Sequence, residues 1–252
     1  MNQLSRAVME RRSEAPDSLD FFPTPPWATR ALFEHLGDDW RDCRCWEPAS
    51  GEGHMAEVLR EFFGYVFASD VHDYGCDYAV GSFTGVGADV AHWPGGNAGE
   101  TPDWIITNPP FNEAESFLER ALAECGTGVA FLLRTNWIAT QGRYINVFSS
   151  RPPSRVLQFT DRVPMVKGRW DPIASTATEY AWFVWDQSSL TTPILDRRFD
   201  PPKRYSPFYW IEPGAPRRCA RADDVARFAP ASLARDAANA GSDLFWGRDD
   251  GA

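Results

Sequence analysis

The chain has 252 residues and a hydrophobic fraction of 43%, enough for one large domain with an ample core, and this excludes wholesale disorder. No apolar run approaches the ~20 residues of a membrane span, and the polar first twenty residues lack the apolar core of a secretory signal, so a cytoplasmic protein is expected. The net charge of −10 hides an asymmetry: residues 1–130 carry 8 basic and 22 acidic side chains, residues 131–252 carry 17 and 13, and the span 134–218 carries 13 and 7. A locally basic face on an acidic protein still meets phosphates, so nucleic acid is not excluded.

Behind a polar segment 1–20, the prolines of FFPTPP lock φ and remove amide donors, which predicts irregular chain over 21–26. Apolar spacing predicts a helix over 27–36, then a short buried strand over 43–46. EPASGEG forms the next turn, residues 54–64 read as a helix closing at Gly64, and YVFAS is a second strand ending at Asp70. The Gly-rich stretch 73–102 reads as turns with one short element near Val86 to Val90. A strand over 103–107 runs into NPPF, an amphipathic helix follows over 114–126, and GVAFLLR at 128–134 is the most apolar strand. Residues 140–150 have helical character, and 155–160 and 180–185 are two final strands joined by a polar, basic segment. The expected organisation is a flexible 1–20, a domain over 21–186, and a Pro/Arg-rich arm or tail over 187–252. Repeated strand–helix alternation implies an α/β fold with a largely parallel sheet covered on both faces.

Three segments carry chemistry. Glu47, Pro48, Ala49, Ser50, Gly51, Glu52 and Gly53 lie between a strand and a helix, where glycines let backbone approach a ligand at the sheet's carboxyl edge. No Lys-Ser/Thr follows, and Ala56 stands where a dinucleotide fingerprint has its third glycine, so neither phosphate-binding motif is complete. Asp70 ends the next strand, where a carboxylate accepts hydrogen bonds from ribose hydroxyls. Asn108, Pro109, Pro110 and Phe111 follow the third strand. There an Asn oxygen and the Pro109 carbonyl can accept both hydrogens of an exocyclic amine, and Phe111 offers a face for a planar base. Arg134 and Asn136 follow another strand end near the same site, beside Trp137, which reads equally as a core residue. Cys43-x-Cys45 lacks zinc spacing, so no metal is expected, and five cysteines without a framework are read as thiols.

EPASGEG and NPPF resemble the motifs of class I S-adenosylmethionine-dependent methyltransferases, specifically those that modify N6 of adenine in DNA. The nearest likeness is to small adenine methyltransferases of phages and prophages, and it covers about residues 20–186. It implies a Rossmann-like fold, a mostly parallel seven-stranded sheet with helices on both faces. It implies S-adenosylmethionine as cofactor, held by Pro23, Thr24, Pro25, Glu47, Pro48, Ala49, Gly51, Gly53, Asp70, Val71, Asp89 and Asn108. It also implies catalysis by Asn108 with Pro109, Pro110 and Phe111 on a DNA adenine flipped from the stack, RNA being the less expected substrate. The chain has no room for a large recognition domain, so contact with DNA falls to Arg134 and Asn136, to Arg162, Lys167, Arg169 and Trp170 in the segment 161–179, to the tail, or to a partner chain. RNA-base or protein-glutamine methylation, and a catalytically silent binding subunit of this fold, are the alternatives.

Overall fold

The computed structural model describes residues 20–37, 39–85, 91–94, 101–187, 194–200, 202–232 and 234. In its first half, α1 (Pro26–Leu36) precedes β1 (Trp40–Glu47), α2 (Ala56–Leu59), β2 (Phe63–Asp70), β3 (Ala79–Val80), β4 (Trp104–Thr107), α3 (Ala114–Glu124) and β5 (Gly128–Arg134). A 3-10 turn (Thr135–Ile138), α4 (Gln141–Arg143) and a π-helical turn (Tyr144–Phe148) lead to β6 (Arg155–Phe159) and β7 (Tyr180–Asp186). The remaining elements are β8 (Ile194–Asp196), β9 (Lys203–Tyr205), β10 (Phe208–Ile211), α5 (Ala215–Cys219) and α6 (Asp224–Phe228).

Among the described residues the main sheet has eight strands in the order β10-β6-β7-β5-β4-β1-β2-β3. All its pairings are parallel except those of β7, which runs antiparallel to β5 and β6. The expected Rossmann-like α/β sheet is thus present with one strand more than seven, because β10 adds to the edge of β6. Alternation along the strands builds two cores. Cys45, Trp104, Ala130 and Trp182 face α1 and α2, while Trp46, Ile105, Phe131 and Phe183 face α3 and the π turn.

Two elements differ from the sequence reading. The helix expected over 54–64 stops at Leu59, and Phe63 and Gly64 begin β2 instead. Phe63 is buried in the core, and a Cβ at Gly64 would overlap the Arg41 carbonyl of β1, so that glycine serves close strand approach rather than a helix end. The segment 161–179 holds core residues: Val163 and Met165 join the α1 side of the sheet, and Trp170 is 1% exposed. The element expected near Val86 to Val90 lies outside the described residues.

The Arg-rich segment beyond β10 is tied down by one buried network. All five donors of the Arg30 guanidinium are used: two to Asp224 at 2.7 Å each, two to Glu61 at 2.8 and 2.9 Å, and one to the Cys219 carbonyl at 2.9 Å. Arg30 is 6% exposed and Asp224 0%, so each charge is held out of water by its partners. Burial works against the Arg30 charge, yet the hydrogen bonds to Glu61 and Asp224 outweigh it and raise its pKa. Arg221 and Arg227 add further ion pairs to Glu61 at 2.9 and 3.3 Å. Replacing Arg30 by Met should cost about 3–5 kcal/mol, because it strands the Asp224 carboxylate in the interior. Urea unfolding measures this, and an unchanged midpoint would show that the network holds nothing.

Candidate functional site

The connections after β1 and β4 depart to opposite faces of the sheet, and a cleft opens between their carboxyl ends. Its walls come from five separate stretches. Asp20 to Thr24 supply one side, Glu47 to Ser50 with His54 and Met55 a second, and Asp70, Val71 and Tyr74 a third. Ser82, Phe83, Thr84, Asn108, Pro110, Glu113 and Phe117 complete it.

Of the residues expected to hold a cofactor, Pro23, Thr24, Glu47, Pro48, Ala49, Asp70, Val71 and Asn108 are brought to this one cleft. Pro25 stands at the N-cap of α1 and does not line it. Gly51 and Gly53 lie in the turn behind, with φ of 52° and 89°. A Cβ at Gly51 would overlap the Phe21 ring, and one at Gly53 the Tyr78 hydroxyl. These glycines are therefore required by the protein's own packing before any ligand arrives. Asp89 lies outside the described residues. Tyr74, His54, Phe83, Thr84 and Phe117 were missed by sequence reading, since no local pattern distinguishes a cleft aromatic or hydroxyl from a core or loop one.

Asp70 shapes the turn directly. Its Oδ2 accepts the Gly51 N–H at 2.8 Å and its Oδ1 accepts the His72 N–H at 3.0 Å. Burial raises its pKa, and these backbone donors oppose the shift. Glu47, 2% exposed, sits deeper, and burial together with the Asp70 charge pushes its pKa well above the usual carboxylate range.

At the end of β4 the Asn108 amide donates through Nδ2 to the Phe22 carbonyl at 3.0 Å, with Met165 sulfur at 3.7 Å. This fixes which way the amide points and leaves Oδ1 buried without a partner. Glu47 Oε2, Ser50 Oγ and His54 Nδ1 are likewise buried, unpartnered and on residues that line the same cleft. Four such atoms around one space are a set of groups prepared for a polar ligand, because an unpaired buried polar atom costs about 1–3 kcal/mol.

Pro109 is buried behind the turn, and Phe111 flanks the cleft without lining it. The Phe111 N–H donates to Asp20 Oδ2 at 2.8 Å. Its ring meets Phe22 at 5.5 Å and Tyr180 at 6.4 Å between centroids, and the Arg134 guanidinium lies 4.1 Å from its centroid. Arg134 therefore reaches the site, while Asn136 is exposed on the 3-10 turn and Trp137 is buried in the α3-side core. Gly168, between Lys167 and Arg169, donates its N–H to the Phe21 carbonyl at 2.9 Å, which places that turn beside the cleft. Arg169 pairs with Asp171 at 3.3 Å and Arg162 with Glu179. Trp170 corrects the sequence reading: its indole packs against Phe228 at 6.4 Å instead of facing solvent, so it is no surface contact for nucleic acid.

No family model matches the sequence, and no curated protein matches it. Solved structures do resemble the fold. A protein assigned as the modification subunit of a type I restriction enzyme from Vibrio vulnificus YJ016 aligns at a TM-score of 0.50 and 14% identity, over 84% of this chain and 52% of that one. The type I restriction-modification system methyltransferase subunit from Streptococcus thermophilus aligns at 0.45 and 10% identity, over 70% and 45%. A protein assigned as an RNA methyltransferase from Pyrococcus horikoshii aligns at 0.45 and 15% identity, over 66% and 85%. The chain spans about half the length of the two restriction-system subunits. The likeness is one of fold, and the chain has the Rossmann-like α/β fold of class I methyltransferases.

His54 links this cleft to the arm, since its Nε2 contacts the Phe228 carbonyl at 3.0 Å. Burial lowers its pKa from 6.5 to about 4, so the ring is neutral in the fold. A depressed folded pKa gives stability that is complete above pH 6.5 and lost as pH falls toward 4, about 3 kcal/mol for this shift. Stability measured across that window should decline less in His54→Gln than in the native protein. Parallel pH curves would contradict a buried neutral imidazole.

Proposed function

We propose that the protein is an S-adenosylmethionine-dependent methyltransferase that modifies the exocyclic N6 amine of adenine in DNA. The observation that carries this reading is the Asn108 amide, turned by the Phe22 carbonyl so that its Oδ1 is buried and unsatisfied at the mouth of the cleft. An acceptor held in that state suits a donor with two hydrogens, and the neighbouring Pro109 carbonyl supplies the second acceptor.

The cleft suits the cofactor in donor type. Asp70 lines it and has the chemistry to accept ribose hydroxyls, Phe83 and Phe117 offer apolar surface to a purine, and the unpartnered oxygens of Glu47 and Ser50 suit the amine of an amino-acid tail. When bound, S-adenosylmethionine supplies a methyl group on a positively charged sulfur. The adenine amine is a weak nucleophile because its lone pair is delocalised into the ring. Accepting both of its hydrogens, Asn108 and Pro109 favour a tetrahedral nitrogen and direct the lone pair at the methyl carbon. One proton leaves after transfer, so no residue has to remove it first. Positioning of this kind supplies up to ~7–11 kcal/mol of the acceleration.

Phe111 gives the flipped base a stacking face. Arg134 covers one face of that ring, so a base taking that face displaces the guanidinium toward the phosphates outside. The turn carrying Lys167 and Arg169 stands beside the same mouth.

Two variants separate cofactor binding from chemistry. Asp70→Ala should weaken S-adenosylmethionine binding by about 1.5–3 kcal/mol in calorimetric titration. Asn108→Ala should keep most of that affinity but lower turnover by about 10²–10³-fold, the scale of one preorganised hydrogen-bonding group. Near-normal turnover in Asn108→Ala, on any substrate, would rule out the proposed role.

A further inference from the structure

Every exposed Phe and Trp among the described residues, namely Phe199, Phe208 and Trp210, lies in one short stretch, joined there by exposed Tyr205 and Tyr209. Trp210 is the most open at 63%. Phe208 and Trp210, two residues apart on β10, share one face of the strand, and their rings meet at 5.2 Å. Tyr209 turns to the other face, 6.3 Å from His35. The strand is held to β6 through its backbone, so these rings are spared by the fold.

Cations are interleaved with them. Residues 194–211 hold Arg197, Arg198, Lys203 and Arg204 against Asp196 and Asp200, in a chain of net charge −10. Arg198 is paired with Asp196, and Lys203 sits 4.2 Å over the Phe199 ring. Arg197 and Arg204 are exposed. Exposed rings alternating with cations form a surface that stacks unpaired bases and neutralises phosphates. Lysine is depleted at the centre of a protein–protein interface, whereas here Lys203 stands over one of the rings.

The location suits a strand leaving the active site. Because β10 runs parallel to β4, its last residue lies at the same sheet edge as Asn108. The Ile211 carbonyl accepts from Thr160 Oγ1 at 2.8 Å, and Asp161 Oδ2 accepts the Gly214 and Ala215 N–H groups at 2.9 and 3.0 Å. The end of β10 is thereby joined to the start of the segment whose Gly168 touches Phe21 at the cleft. Four strand spacings separate β4 from β10, about 19 Å at ~4.8 Å each, or roughly six nucleotides.

We infer that the β8–β10 edge is a second nucleic-acid site, which stacks the unpaired bases of a single strand flanking the nucleotide held at Asn108. The inference rests on nucleic acid being the substrate class.

Labelled oligothymidylate and oligouridylate of about twelve nucleotides probe the edge without offering an adenine amine to Asn108, and the Trp210 and Phe208 variants isolate its share of the binding. Trp210→Ala and Phe208→Ala should each weaken binding by about 5–150-fold. Trp210→Tyr should restore most of it, and Asn108→Ala should leave it unchanged. Arg204→Ala should flatten the salt dependence by about 0.7 in slope. In methyl transfer, Trp210→Ala should raise KM for substrates with flanks beyond about six nucleotides and not for shorter ones, with kcat constant. Equal oligonucleotide binding by native protein and Trp210→Ala would overturn the inference. So would a change of oligomeric state in Trp210→Ala without a change in binding, which would assign the edge to a protein partner. Adenine methylation without oligothymidylate or oligouridylate binding removes this site and spares the proposed activity. Binding without methylation of any nucleic acid does the reverse.

Discussion

Between β1 and β4 the crossovers leave the sheet on opposite faces, and no connection can then cover the carboxyl ends of those two strands. The cleft follows from that constraint. Glu47 closes β1, Asn108 follows β4, and Asp70 closes β2, so three polar groups reach one edge without any loop having to carry them there. The N-terminal stretch 20–24 then passes across the opening, where its Phe22 carbonyl orients Asn108 and Asp20 holds the Phe111 N–H. The chemistry proposed for this site depends on backbone the sheet has already fixed, so that positioning is complete before reaction.

The Arg-rich end of the chain is coupled to the same turn. Arg30 joins α1 to α6, Phe228 of α6 touches both His54 and Trp170, and His54 lines the cleft. The arm thus packs directly against the residue that follows the EPASGEG turn. The buried, neutral state of His54 and the raised pKa of Glu47 have a common origin in this dry wall.

The ends of β1 and β4 were legible because each strand runs into a segment that breaks regular structure for a local reason: the glycines after Glu47, the prolines after Asn108. The acceptor pair proposed at Asn108 and Pro109 rests on residue type and position, to which the structure adds the orientation of the Asn108 amide. Legibility failed where the cause lies far away in sequence. Arg30 and Asp224 are 194 residues apart, and nothing near either one announces a buried pair. Trp170 sits among polar residues and reads as surface, yet Phe228 covers it. Residues 60–64 continue a helical pattern, but the pull of a parallel partner in β1 turns Phe63 and Gly64 into strand, an instance of tertiary pairing overriding local propensity. The glycines at 51 and 53 are read from sequence as a place for a ligand's close approach, whereas in the structure packing against Phe21 and Tyr78 already demands them.

The proposed activity turns on which atom receives the methyl group. Incubating the protein with isotopically labelled S-adenosylmethionine and, separately, DNA, RNA and protein, followed by digestion and mass spectrometry, identifies that atom directly. The expected result is label in N6-methyladenine from DNA. Label on a ring carbon, on a ring nitrogen or on a protein side chain, with none on N6 of adenine, would contradict it.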